Sequence, residues 1–569
     1  MRLERMQQPF DPAVWAGTNF PPVVQQIYAN RGIATPEAIN KSMDQLLSPV
    51  QMGGIENASE IIASAITHQR GITIAGDYDC DGATGTSVGY LGLKLLGADP
   101  EKLRYAVPNR DKHGYGLSVG LVDEMPLTTE LIITVDSGVA SHEGVAHAKA
   151  KGYTVVITDH HLPGETLPAA DAIVNPNLKG DPFPSKMLAG VGVMFYVLAA
   201  VRARLKTLGH PGGHAPLQSL LDLVAIGTVA DLVPLDQNNR ILVEAGLRQI
   251  RTGNANVGVD TLLSITKRDP IHFNSTDIAF TIAPRLNSAG RLADMTMGVQ
   301  LLTATDRAKA TRLAEILEGI NLERKGVQAE MQLAAETLVA LAPPSDALGV
   351  VVFDPSWHHG IVGLVASKLK ESLYRPTVAF APGGEGSIEA RGSARSIPGL
   401  HLRDALALID TRHPGILVKF GGHAMAAGMT VNIANIPAFT EAFNQVLSEM
   451  LTPEMLESII RTDGELDPEL MGPEFTKYLE YCGPWGQGFP KPVFDGIFEV
   501  KDYRILGQKH VKFELYDVRN GNVVDAIWFF GYKGQVLPTR IQIAYELSLN
   551  VYKGREECQL LIRHLEPAP

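Results

Sequence analysis

Cysteine is nearly missing from this sequence: Cys80, Cys482 and Cys558 are its only three among 569 residues. So few, so far apart, they exclude a disulfide framework and suit the reducing cytoplasm, which is the compartment expected. Long apolar runs are missing too. The strongest, Met187 to Val201 between Lys186 and Arg202, is too short to cross a bilayer comfortably and reads as a buried helix, so no membrane association is expected. The opening Met-Arg-Leu-Glu-Arg-Met-Gln-Gln-Pro has charge but no apolar core, and nothing in it reads as a signal peptide. There is no excess of positive charge. Lys plus Arg 50 against Asp plus Glu 62 gives −12, which argues against coating nucleic acid by bulk charge. Net charge is not its distribution, however, and an acidic protein can still carry a basic groove. Internal repeats and low-complexity tracts are absent.

What is present is globular in character, with 45% hydrophobic and 20% charged residues. The length exceeds one ordinary core and predicts several domains, with room for a cleft. From about residue 55 to 235, apolar strands alternate with amphipathic helices. Ile72 to Ala75 is a strand ending in Gly76-Asp77-Tyr78-Asp79-Cys80-Asp81-Gly82, followed by a helix from Ala83 to Leu96. Leu131 to Val135 ends at Asp136-Ser137-Gly138, with a helix from Ser141 to Ala150, and Tyr153 to Thr158 ends at Asp159-His160-His161. This succession predicts an open parallel sheet covered on both faces, with ligands outside the carboxyl ends of its strands. A long helix is expected over 306–342, with breaks near Gly319 or Gly326 and a stop at Pro343-Pro344. A second α/β unit starts at Leu348 to Phe353. Beyond about 465 short strands dominate, Lys512 to Val518 and Val523 to Phe530 flanking an Asn520-Gly521 turn, which predicts a small β-barrel or sandwich.

Four acidic elements carry the chemistry: Asp77-x-Asp79-x-Asp81, Asp136-Ser-Gly138, Asp159-His160-His161 and Ala230-Asp231. Each closes an apolar run, so folding would bring several carboxylates and at least one imidazole to one edge of the sheet. Crowded carboxylates repel unless cations lie between them, and an oxygen-rich set with one or two histidines suits Mn²⁺ or Mg²⁺. Alternation along Asp79-Cys80-Asp81 would turn both carboxylates one way and Cys80 the other, leaving the thiol to packing. Taken singly, an Asp-rich turn is a solvated loop and a His pair is structural; their coincidence at strand ends is what points to a metal site. Neither cysteine chemistry nor a Ser-His-Asp arrangement is suggested.

In that order, Asp79-x-Asp81-Gly82, Asp136-Ser-Gly138, Asp159-His160-His161 and Ala230-Asp231 resemble the four motifs of the DHH phosphoesterase superfamily. Gly421-Gly422-His423-Ala424-Met425-Ala426-Ala427-Gly428 resembles the signature of its DHH-associated domain. Ala283-Pro284-Arg285-Leu286-Asn287-Ser288-Ala289-Gly290-Arg291, Trp357-His358-His359-Gly360 and Gly483-Pro484-Trp485-Gly486-Gln487-Gly488-Phe489-Pro490 narrow the resemblance to the RecJ branch, over nearly the whole chain. The fold class it implies is α/β: a parallel-sheet DHH domain, joined by a long helix to a second α/β DHH-associated domain, plus a C-terminal OB-like β-barrel. The corresponding boundaries are an N-terminal extension at 1–54, a DHH catalytic domain at 55–305, a connecting helix at 306–342, a DHH-associated substrate-binding domain at 343–455 and an OB-like nucleic-acid-binding domain at 456–569.

Carried over residue by residue, the resemblance implies two divalent cations with Asp136 as bridge. Asp81, Asp136, His160 and Asp231 would hold one, Asp79 and Asp136 the other. Ala75 departs from the pattern, standing where many members place a metal-binding histidine, and Asp77 is the residue expected to assist the second ion. His161 would face the scissile phosphate, and Asp136, Asp159 and His161 form the implied catalytic set. Arg110, Ser393 and Arg395 would receive a 5′ end, with Arg391 to Ser396 read as a glycine-containing loop; Arg285 and Arg291 would contact phosphates further along, and His358 and His423 would join in substrate binding. Backbone amides of the Gly421 to Gly428 run are suited to approach phosphate closely, and Tyr115, Trp357, Trp485 and Phe489 are candidates for stacking on bases. The implied activity is processive 5′-to-3′ hydrolysis of single-stranded DNA in recombination and repair, by a monomer that a single-strand-binding protein and a helicase would supply with substrate. Two alternatives remain at this point, a small-substrate phosphoesterase and a DNA-binding scaffold with a decayed centre.

Overall fold

The computed structural model describes residues 2–341, 347–552 and 554–568. The chain divides into two units, Glu4–Glu318 with Arg461–Pro569, and Gly319–Ile460 with Met1–Leu3.

The larger unit is built on a five-stranded, wholly parallel sheet in the order Leu103–Ala106, Ile72–Ala75, Leu131–Val135, Thr154–Thr158, Ala172–Val174. The central strands, Ile-Thr-Ile-Ala and Leu-Ile-Ile-Thr-Val, are apolar or β-branched throughout, because both of their faces are buried. Helices Cys80–Leu96 and Gly190–Thr207 pack on this core, and they come so close that a Cβ at Gly92 would stand 2.3 Å from Leu198 Cδ1.

Three expectations about local geometry are corrected by the structure. The first helix starts at Cys80 rather than Ala83, since the Asp79 carboxylate caps it by accepting from the Gly82 amide at 2.9 Å. Cys80 is buried as expected, but by helix packing and not by strand alternation. Asp231 closes the helix Leu221–Ala230 and not a strand.

The C-terminal strands Phe494–Leu506, His510–Tyr516, Val523–Trp528, Arg555–Pro567 and Arg540–Tyr552 close into a barrel in that order, which decides between barrel and sandwich. Its interior holds Phe494, Phe498, Phe513 and Tyr545, and Gly521 takes the left-handed conformation (φ +77°) that its turn demands. Trp485 and Phe489, candidates for stacking on bases, are only 4% and 2% exposed. They stack on each other at 5.0 Å and on Tyr28 at 6.4 and 6.3 Å, an aromatic core assembled from opposite ends of the sequence. Trp357 is likewise buried, whereas Tyr115 is exposed.

Helix Arg307–Leu341 runs on into the smaller unit without a break at Gly319 or Gly326. Ala342, Pro343 and Pro344 lie outside the described residues. The smaller unit carries a mixed sheet ordered Leu417–Gly422, Ala426–Asn432, Glu389–Arg395, Thr377–Pro382, Val350–Phe353, parallel only in its last pair. Arg391 to Arg395 therefore lie in a strand, not a loop. Gly392 and Ala394 face the core, and Arg391, Ser393 and Arg395 share the opposite face. The glycine-rich run forms a β-hairpin with Gly421 paired to Gly428, itself paired to Ser393.

Candidate metal centre

The three neighbouring strands Ile72–Ala75, Leu131–Val135 and Thr154–Thr158 end side by side, so sheet order alone brings Asp77, Asp79, Asp136, Asp159, His160 and His161 to one edge. Helix Leu221–Ala230 adds Asp231 at its C-terminus. Ligand atoms of Asp81, His160 and Asp231 lie within 4.8 Å of one another, as do those of Asp77, Asp79 and Asp136 and those of Asp136, His160 and His161. His160 Nε2 stands 3.0 Å from Asp136, 3.5 Å from Asp231 and 4.0 Å from Asp81. The groups overlap at Asp136 and His160. Asp77 falls beside Asp79 and Asp136, while Ala75 is a buried strand residue.

Backbone architecture holds these side chains. Asp136 adopts φ +59°, an uncommon conformation for a residue with a side chain, and its amide donates to Thr158 O at 3.1 Å. Asp81 accepts from the Gly190 and Val191 amides at 2.6 and 2.9 Å, fixed by the N-terminus of helix Gly190–Thr207. Gly190 must lack a side chain, since a Cβ there would meet Asp136 Cβ at 2.4 Å. The Asp159 carboxylate works as a hub, accepting from the amides of Val139, His160 and His161 at 2.9, 2.7 and 3.1 Å and meeting His161 Nδ1 at 2.8 Å.

Sequence reasoning missed three supports. Asn175 and Asn177 donate to the His161 and His160 carbonyls at 2.8 and 2.6 Å, and Asn287 accepts from the Cys80 amide at 2.9 Å. A polar Asn-Pro-Asn closing the apolar strand Ala172–Val174 was the available signal for the first two. Tyr115, a candidate for base stacking, also supports the site: its hydroxyl donates to the Asp136 carbonyl at 3.1 Å and lies 3.3 Å from the His161 ring nitrogens.

The electrostatics match a site built for cations. Burial, then Asp79, push Asp81 up to about 7. Burial and like charge also drive Asp77, Asp136 and Asp231 well above the usual carboxylate range. Asp159 behaves oppositely: burial alone would raise it, but the His161 hydrogen bond and charge hold it below its ordinary value. His161 loses to burial and gains more from Asp159, ending above an ordinary imidazole. Asp77 Oδ1 and Asp136 Oδ1 are buried with no suitably aligned hydrogen-bond donor among the described residues. An anionic, under-donated, oxygen-rich set of this kind fits divalent cations.

Arg110 lies over the Tyr78 ring at 4.2 Å and donates to Gly290 O at 3.2 Å, half-buried. Arg285 is 8% exposed, paired to Glu318 at 2.6 Å and donating to Thr281 O. Arg291 sits half-buried in the last turn of helix Ala283–Leu292. In the smaller unit, Arg395 donates to Ser393 Oγ at 2.8 Å and Ser367 Oγ at 3.1 Å, and burial lowers its pKa. Gly363, whose Cβ would stand 2.9 Å from that guanidinium, leaves it room. His358 accepts from the Gly360 amide at 3.0 Å and stacks on His359, and His423 lies exposed in the hairpin.

Residues 71–228 match the DHH family N-terminal domain, 346–449 the DHHA1 domain and 462–564 the RecJ OB domain. The chain is similar to the single-stranded-DNA-specific exonuclease RecJ of Salmonella typhimurium, 43% identical over 561 residues that cover 96% of both proteins. It is also similar to two crystal structures of RecJ from Thermus thermophilus. The structure in complex with Mn²⁺ has a TM-score of 0.83 at 28% identity, covering 100% of this chain and 80% of that one. The structure in complex with Mg²⁺ gives 0.77 at 27%, covering 100% and 79%. Three domain matches in order, with identity sustained from end to end, mean that this chain belongs to the RecJ family of the DHH superfamily.

Proposed function

We propose that this protein is a metal-dependent exodeoxyribonuclease that hydrolyses single-stranded DNA from the 5′ end, in recombination and repair. The observation that carries the reading is the pair of ligand groups meeting at Asp136: Asp81, His160 and Asp231 on one side, Asp77 and Asp79 on the other. With Asp136, the first group would hold one Mn²⁺ or Mg²⁺ and the second group the other. Bound there, two such ions activate water and offset the negative charge that grows at phosphorus.

The chain's own residues do the rest. Asp159 fixes the His161 ring through Nδ1 and shifts it towards its protonated form, which suits the ring to donate to a phosphoryl oxygen. Asp159 is thus a positioning residue. Tyr115 braces the same ring and the Asp136 carbonyl. Arg110, held over Tyr78, and the Arg395–Ser393 pair are guanidinium and hydroxyl donors suited to a terminal phosphate. Arg291, His358 and His423 extend the substrate-binding set. The bare hairpin at Gly421 and Gly428 leaves backbone beside Ser393 open to a polymer's phosphates.

The closed barrel supports a polymer over a small-molecule substrate, since barrels of this kind bind single strands. We assign catalysis to 55–305, substrate binding to 343–455 and strand binding to 456–569. No helix among the described residues is long and apolar enough to cross a membrane, and the three cysteines are free and buried. We further propose that it acts in the cytoplasm as a monomer supplied with substrate by a helicase and a single-strand-binding protein. Digestion of 5′- and 3′-labelled single strands and duplexes with Mn²⁺ or Mg²⁺ tests the reading. Cleavage should be confined to single strands, start at the 5′ end and vanish in Asp136→Ala; an Asp136→Ala variant that matches the parent would overturn it.

A further inference from the structure

We propose that an apolar shelf beside the metal centre, made by Leu232 and Phe280, receives one base of the single strand; this rests on the nuclease reading above. Leu232 is 65% and Phe280 76% exposed. They flank a cleft of about 140 Å³ that runs down to Val229, Leu235 and Trp485, and no charged side chain among the described residues lines it. Scattered exposed apolar residues are ordinary on a protein surface. These two differ in their backbones and in their place.

Leu232 follows Asp231 directly. The helix Leu221–Ala230 ends there, and Leu232 takes φ +61°, the left-handed stop at which helices usually carry glycine. A glycine would make this turn without cost, yet a bulky side chain occupies it and is turned to solvent. The same turn that aims the Asp231 carboxylate at His160 therefore aims Leu232 at the cleft. Phe280, its ring exposed, lies in the π-helical segment Ile278–Ile282, a widening that occurs often at functional sites. Below them Trp485 is locked by its indole N–H to Leu479 O at 2.9 Å and by Ser275 Oγ to its own carbonyl at 2.5 Å, so the floor is rigid.

A rigid, uncharged cleft of this size, below the ~300 Å³ of an ordinary small-molecule site, admits one flat ring and offers nothing to a phosphate. Its continuity with Asp231 selects the occupant: when a phosphodiester lies at the metal centre, a base attached nearby has this surface beside it. Stacking on an aromatic face suits every base, as a nuclease without sequence preference requires.

The test uses the full chain with Mn²⁺ and single-stranded oligonucleotides in which one abasic site is walked inward from the 5′ end. The parent should lose about tenfold in kcat/KM at one position, through KM, as expected when one stacked base is removed. Phe280→Ala should show that loss on intact DNA and no further loss at that position; Phe280→Trp should restore parental behaviour and Phe280→Leu should not. Leu232→Gly should keep or raise Tm, because glycine suits φ +61°, while raising KM, a split that a merely structural leucine would not give. Variants with parental KM on intact DNA, or with undiminished sensitivity to every abasic position, would overturn the proposal and leave the shelf to an apolar side chain of a protein partner. A parent that leaves all oligonucleotides intact would instead overturn the nuclease reading beneath it.

Discussion

Stripping the divalent metal should make the protein less stable as pH rises through neutrality, and adding Mn²⁺ should abolish that dependence. Burial and Asp79 raise Asp81 from 3.8 to about 7, and Asp77, Asp136 and Asp231 are raised as well. A carboxyl whose pKa is higher in the folded than in the unfolded chain binds its proton more tightly when folded. Its contribution is complete below about pH 4 and is lost progressively as pH climbs through the folded value. For Asp81 the interval is about three pH units, on the order of 4 kcal/mol at about 1.4 kcal/mol per unit, and its neighbours deepen the loss. Cations replace the protons, so the stabilisation from Mn²⁺ should grow with pH. Thermal unfolding at acidic and at neutral pH, with chelator or with Mn²⁺, reads this out. Asp136→Asn sharpens the test, because removing one like charge should make the chelated variant more stable than the parent at neutral pH and the Mn²⁺-loaded variant less stable. A chelated parent with a flat Tm across this range would refute the claim that these carboxylates confront one another.

Gly190→Ala should abolish most activity and cost about 1–3 kcal/mol, because its Cβ would collide with Asp136; Mn²⁺ titration with chemical denaturation checks this, and a fully active variant would reject the close approach. Arg395→Ala should raise KM for 5′-phosphorylated ends by about tenfold or more, the worth of a charged hydrogen bond, while the Mn²⁺-induced shift in Tm stays parental. Equal loss on both counts would remove Arg395 from substrate binding. Phe489→Ala should destabilise by about 3–5 kcal/mol as a core aromatic, visible as a large fall in Tm. Normal stability with weakened DNA binding would restore Phe489 as a stacking platform.

The metal centre was legible because its residues stand where parallel strands end, and strand ends announce themselves locally: Ile72 to Ala75, Leu131 to Val135 and Thr154 to Thr158 are short apolar runs stopped by aspartate. What the sequence concealed was non-local or ambiguous in period. Arg391-Gly-Ser-Ala-Arg395 contains the small residues of a loop, and only its pairing on both sides makes it a strand. Gly and Pro around Trp485 and Phe489 imitate an exposed turn, and the partner that buries them, Tyr28, lies far away in sequence. Asp79-Cys80-Asp81 imitates a strand by its alternation, but capping by Asp79 makes it the start of a helix. Helix Arg307–Leu341 survives two glycines, each worth about 1 kcal/mol against alanine, because strong helix formers surround them. The Arg285–Glu318 ion pair is likewise non-local, joining residues of two separate helices.

The strand order has one further consequence, for synthesis. Asp77 and Asp79 leave the ribosome early and Asp231 late, so a growing chain holds an incomplete cradle until the helix ending at Ala230 has docked. A nuclease assembled in this way is harmless while it is being made, since no fragment short of that helix can gather all the carboxylates that would arm it.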